Sequence, residues 1–470
     1  PMHTSQILLI HSLVVGILLL FWLYWLNRRG LFRWNTAGFW AWAAFLLYFV
    51  LNPLLSALSG DYLLYEINLT IAGREARATW IGVVICVGIS VFYLVYLRTK
   101  AAPVTWKLKH PVRYPPTVWF VVLISLAVAL PALLTFRVGF VGNQQNVVIE
   151  QGRFVGEVTG YEYSAHTFLL VPAVFLILAA PGLGRLAGWA ILALYVIAGF
   201  SDPWARFLAV SSLIAVSLID VLLRSKRWPR VIFVAFVIFV TSVLWIRGHD
   251  TFESVEELLA TAAQAPASIL DTLSSGDAAM LATFYLESYT HDTLAGFDYG
   301  IPLINYALTG LLPYRLFPNK YFLVDQLRSR QYYRIGSEIH ALLYGAKSSL
   351  VGSFYAEGGI IAVVLMMAVA GWLSRKLDGM LLSTSPPLVR ATGIVWMSIL
   401  WMVWGSADYW ALTTLGMVSL PTIGMWLFSP KTWGKRASGV RALTPQTHVG
   451  SFRNTPQSLY RTTSSQEKLR

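Results

Sequence analysis

Five arginines, one histidine, one tyrosine and one glutamate have the types and positions to do chemistry in this sequence. Arg206 follows the turn SDPW at the start of an apolar block, Arg247 ends another block, and Arg328, Arg330 and Arg334 cluster in RSRQYYR. A guanidinium is a planar fork that pairs bidentately with phosphate oxygens. At the ends of membrane helices such groups can converge on a phosphorylated headgroup, or each can reach singly into lipid phosphates. Each arginine taken alone allows both readings. The set together points to a bound phosphate, because short outward junctions of membrane proteins are poor in arginine.

His340 lies in IGSEIHALLYG, close to Ser337, Glu338 and Tyr344. An imidazole with an unperturbed pKa of about 6.5 suits a base at neutral pH. On a helix His340 and Tyr344 share a face. The plainer alternative is a surface histidine on a polar helix. Glu357, in SFYAEGG, sits just inside an apolar block, where an unpaired acid is costly. It either serves as a base or pairs with Arg334 or Lys347. Gly358 and Gly359 beside it mark a close helix contact or a kink. Asp202 and Asp408 read as caps or interface residues, and Asp220 as a partner for Arg224.

Other chemistries leave no trace. There is no Walker A loop, dinucleotide fingerprint, HExxH, CxxC or GxSxG. The eight histidines are scattered without metal-ligand spacing, and no Asp-rich run suggests magnesium-held diphosphate. No metal and no cofactor are expected, so arginine must hold any phosphate. The single Cys86 excludes a disulfide framework.

The elements that position these residues are membrane helices. The chain has 470 residues, of which 56% are hydrophobic and 13% charged. A soluble domain carries about 25% charged residues. Nineteen Trp and 22 Tyr suit interfacial aromatic belts. Apolar blocks at 6–26, 38–58, up to 97, 116–136, 166–180, up to 200, up to 223, 231–246, 350–373, 388–404 and 412–428 predict an all-α polytopic membrane protein with about 11 transmembrane helices. The first block has no basic stretch before it and no cleavage-like site after it, so it reads as a span rather than a signal peptide.

The parts are then helices 1–8 over 1–246, a large outward region over 247–349, helices 9–11 over 350–428, and a basic, Ser/Thr-rich, disordered tail over 429–470. Within the outward region, 252–265 has helical spacing, and 302–316 reads as a surface or re-entrant helix. Most Lys and Arg fall in alternate connections and in the tail, which sets the C-terminus in the cytoplasm and the N-terminus and the large region outside. The net charge of +13 is explained by those loops and calls for no nucleic acid. Charges at mid-span are almost absent. That favours an enzyme working at the outer interface over an ion-coupled carrier.

Several local features resemble the bacterial oligosaccharide repeat-unit polymerases, the Wzy-type O-antigen polymerases. They are the small-residue turn before Arg in GFSDPWARFLAV, the run DYGIPLINYALTGLLPYRLFPNK, and the entry AKSSLVGSFYAEGG into a Gly-rich helix. Arg334 and Gly345 also have the spacing of an Arg-ten-Gly element, and the eleven-span layout covers the whole chain. The Pro-Thr usual before the Gly-rich helix is here Lys347-Ser348-Ser349. The resemblance implies transfer of a glycan from undecaprenyl diphosphate to a lipid-linked repeat unit at the periplasmic face of the bacterial inner membrane. It implies that Arg206, Arg247 and one or more of Arg328, Arg330 and Arg334 hold the diphosphate without metal. His340 or Glu357 would take the acceptor proton, and Tyr332, Tyr333 and Tyr344 would either stack on sugars or pack in the core. The carrier's long lipid would lie in a groove open to membrane lipid. A chain-length regulator and a flippase of the same pathway are the implied partners. An O-antigen ligase, which uses the same donor, and a lipid-linked glycan transporter or flippase are the alternatives.

Overall fold

The computed structural model describes residues 2–102, 114, 116–134, 148–150, 153–155, 165–201, 206–246, 260–261, 263, 280–309, 312, 317, 319–320, 322–336, 339, 348–382, 385–405 and 409–427. The described part of every predicted apolar block is helical. In order the helices are α1 (Thr4–Arg28), α2 (Ala37–Ser59), α3 (Leu63–Ala72), α4 (Arg74–Arg98), α5 (Pro116–Leu133), α6 (Ala165–Ala179), α7 (Leu183–Ser201), α8 (Arg206–Arg224) and α9 (Val231–Ile246). They continue as α10 (Met280–Thr290), α11 (Ile301–Thr309), α12 (Phe322–Ile335), α13 (Leu350–Met380), α14 (Pro387–Gly405) and α15 (Tyr409–Leu427).

Six of them, α1, α2, α4, α5, α7 and α13, are long and apolar enough to cross a membrane. A 25-residue helix such as α1 reaches about 37 Å, against about 30 Å of bilayer core. Its inner face is Leu8, His11, Val15, Leu19, Trp22 and Leu26. Its outer face is apolar as well, with Leu13 64% exposed. A helix apolar all round with one face bare is suited to lipid, not to water.

One detail departs from the sequence expectation, and three others fall partly or wholly outside the described residues. A short antiparallel ribbon, β1 (Val148–Glu150) with β2 (Arg153–Val155), interrupts the all-helical pattern between α5 and α6. Of the helix expected over 302–316, the described residues form α11, Ile301–Thr309. The helix expected over 252–265 falls almost wholly, and the tail over 429–470 wholly, outside the described residues.

The parallel pair α4 and α13 forms the spine of the helical unit. Small residues let the two backbones meet. A Cβ on Gly371 would lie 2.4 Å from the carbonyl oxygen of Phe92, and one on Gly88 would lie 3.0 Å from Val363. At their C-terminal ends Asp378, only 5% exposed, gathers three donors. The amide of Ala37 at the start of α2 donates at 2.7 Å, Arg375 Nη1 at 2.9 Å, and the Tyr96 hydroxyl completes the set. Loops at this same end are laced together. Arg227 donates to the Phe32 carbonyl and to Asn27 Oδ1, both at 2.8 Å, and Trp34 Nε1 donates to Ser217 Oγ at 2.7 Å. Asp220 pairs with Arg224, as the sequence predicts, and also with Arg230.

Candidate functional site

The opposite end of the spine is built differently. α10 is almost fully buried through Leu281, Phe284, Tyr285 and Leu286. It then widens into a π-helical turn, His291–Ala295. Such turns are rare and concentrate at functional sites. This one carries Asp292 against the first turns of α4 and α13. Arg77 of α4 pairs with the carboxylate at 2.5 Å, and the Tyr355 hydroxyl of α13 approaches both oxygens at 2.8 and 2.9 Å. Trp80 Nε1 donates to that same hydroxyl at 2.9 Å, and the Arg77 guanidinium lies 5.8 Å from the Tyr289 ring centre. The side chains of Arg77 and Asp292 are 14% and 24% exposed. The pair is therefore accessible without being free in solvent.

α13 is broken one turn further on. Gly358 has φ 174° and ψ 35°, and Gly359 has φ 64° and ψ −154°. The Gly pair is the kink that the sequence allowed. A broken helix in a membrane protein leaves carbonyls without partners, and these must be satisfied from elsewhere. Here the segment after the π turn supplies the donors. The amides of Asp298 and Tyr299 donate to the carbonyls of Ala356 and Glu357, each at 2.9 Å. The Gly300 amide donates to Glu357 Oε2 at 2.6 Å. Phe297 fills the space beside the break, where a Cβ on Gly359 would meet its ring at 3.1 Å.

The strap is held from behind. His291 is buried, contacts the Gly296 carbonyl through Nδ1 at 2.8 Å, and stacks on Phe297. From α12, Gln331 Nε2 donates to Asp298 Oδ1, and Arg334 Nη1 donates to the Ala295 carbonyl at 3.3 Å. Lys320 donates to the Leu312 carbonyl at 2.7 Å, and burial pushes its ammonium below the usual lysine range. At the tip, Tyr299 has φ +53° and its residue surface is 74% exposed. For an L side chain this left-handed conformation costs about 1–2 kcal/mol.

Of the residues singled out from sequence, Glu357 stands at the centre of this arrangement, 5% exposed. Its carboxylate anchors the strap through Gly300, a role the sequence did not suggest. Arg330 and Arg334 lie on α12 and are exposed. Arg206 opens α8 and Arg328 lies within α12, but their side chains are outside the described set. Arg247, His340, Tyr344 and Lys347 lie outside the described residues altogether.

Sequence reading passed over Arg77, Asp292, Tyr355 and Trp80. For Arg77 a signal was present. It stands at the end of an apolar block, next to a connection that the charge pattern reads as outward, like the junctions of Arg206 and Arg247. Asp292 carried no local mark. The resulting group combines a cation, a carboxylate and aromatic rings at one helix end. Its charged pair can meet an anion or accept a proton. Compared with protein-family models, curated proteins and solved structures, the chain matches none of them.

Proposed function

We propose that this protein is a membrane glycosyltransferase that polymerises undecaprenyl-diphosphate-linked oligosaccharide repeat units. About eleven spans cross the bacterial inner membrane, with the N-terminus in the periplasm and the C-terminus in the cytoplasm. The observation that carries the reading is the Arg77–Asp292–Tyr355 group beside the broken α13. It lies at the end of the spine away from the basic loops around Arg28, Arg98, Arg227 and Lys376. By the preference of basic loops for the cytoplasm, that end faces outward. Polar, partly exposed chemistry at an outer helix end suits a substrate whose lipid lies in the bilayer and whose headgroup projects from it.

The proposed reaction joins two lipid-linked glycans. A hydroxyl of the incoming unit's terminal sugar attacks the anomeric carbon of the growing chain. The bond from that carbon to the phosphate oxygen breaks, and its electron pair leaves with undecaprenyl diphosphate. Arg77, together with Arg206, Arg247, Arg328, Arg330 and Arg334, stabilises the negative charge of the leaving group. Asp292 takes the hydroxyl proton, with His340 as the competing base. The products are free undecaprenyl diphosphate and a chain one unit longer on the incoming carrier.

The test is the surface-glycan ladder of cells lacking the protein, complemented with wild type, Arg77→Ala, Asp292→Asn or His340→Ala. Core capped by a single repeat in the null strain, restored only by wild type, supports the polymerase. Polymer that accumulates on the carrier lipid without reaching its acceptor identifies a ligase instead. An unchanged ladder in the null strain rejects the glycan reading.

A further inference from the structure

Tyr299 has no structural reason to be a tyrosine. Its backbone lies in the left-handed region at φ +53°, followed by Gly300 at φ +78°. Glycine and asparagine adopt that conformation at little cost, whereas a bulky aromatic residue is an outlier there. Burial does not repay the strain, since the residue is 74% exposed. Among the described residues its ring has one aromatic neighbour, Phe297, with centroids 6.3 Å apart. Nor is the loop loose. The Tyr299 amide is fixed to the Glu357 carbonyl and the Gly300 amide to the Glu357 carboxylate. A strained residue clamped on both sides and bare at its tip is the pattern of a side chain retained for what it touches.

The neighbouring residues suggest the ligand's class. Asp298, next to Tyr299 in the chain, accepts a hydrogen bond from Gln331 Nε2, and Asp292 lies on the preceding π turn. A bare aromatic ring in a segment that also carries carboxylate and amide groups suits a pyranose, which presents an apolar C–H face and an equatorial belt of hydroxyls.

We propose that Tyr299 is a sugar-stacking residue whose ring receives the face of a pyranose in the glycan at this site. The proposal rests on the glycan reading above.

The experiment uses the full-length protein in nanodiscs. The probe is the repeat oligosaccharide released by mild acid from the surface glycan of the source cells. Binding is followed by saturation-transfer NMR and by titration, and melting temperature is recorded alongside. Tyr299→Gly and Tyr299→Asn remove the ring and relieve the strain, while Tyr299→Trp keeps a ring. The expected result is about a tenfold loss of affinity in the Gly and Asn variants, with a melting temperature equal to or above wild type. Affinity close to wild type is expected for Trp. Unchanged affinity in the Gly and Asn variants overturns the stacking role while leaving the glycan reading intact. A fall in melting temperature and membrane yield with unchanged affinity overturns it in favour of an interfacial anchor. If wild type itself does not bind the oligosaccharide and the null strain shows no glycan phenotype, both readings fall together.

Discussion

The two ends of the α4–α13 spine carry the same three residue types arranged for opposite purposes. At one end Asp378 meets Arg375 and Tyr96, and at the other Asp292 meets Arg77 and Tyr355. Asp378 sits on regular helix, closed in, with a helix-start amide as a further donor. Asp292 sits on a π-helical turn with a quarter of its side chain exposed. A carboxylate–arginine–tyrosine cluster is therefore not a functional signature in itself. Burial and backbone regularity separate a fastener from a site. The first end joins α2, α4 and α13. The second leaves its charged pair partly exposed.

Substitutions can break or sharpen that contrast. The largest effect on stability is expected from Asp378→Ala, which strands the Arg375 guanidinium in a closed site. The loss is about 3–5 kcal/mol, read as a sharp fall in melting temperature in detergent or as failure to accumulate. Gly359→Ala comes next. It forces a side chain into the left-handed region and against Phe297, at a cost of roughly 1–3 kcal/mol, and a thermal melt will show it. Asp292→Asn takes the ion pair from the mostly buried Arg77 and lowers stability by roughly 1–3 kcal/mol, yet glycan polymerisation should fall at least tenfold. A large melting shift with activity retained would make this end a second fastener and erase the distinction. Arg334→Ala has the smallest effect, within about 0.5 kcal/mol. It removes one long hydrogen bond to the strap, and the melting temperature should barely move.

Much of the fold was legible because a span is a local property. Length and hydropathy mark each apolar block without reference to the rest of the chain; the described part of every block is helical, and six of these helices are long and apolar enough to cross a membrane. The pair Gly358-Gly359 was readable for a similar reason, as two residues without side chains inside an apolar run. The site was not local. Arg77 and Asp292 are 215 positions apart, and although Arg77 carried a signal, nothing in the sequence joins it to Asp292. Glu357 stood out as an acid in an apolar block, but its partner is the main-chain amide of Gly300, which no sequence pattern announces. The β1–β2 ribbon had a signal that went unused. Val148–Glu150 and Arg153–Val155 flank a two-residue Gln-Gly connection, the right length for a tight hairpin.

The broken α13 also bears on how the protein is made. The strap precedes α13 in the chain, so the amides of residues 298–300 are synthesised before the Ala356 and Glu357 groups that accept from them. Errors on the two sides are unequal. A chain stopped before Leu350 has no break to close. A chain that loses the strap keeps the break without these three donors, and carbonyls left without donors inside a helical membrane protein are costly.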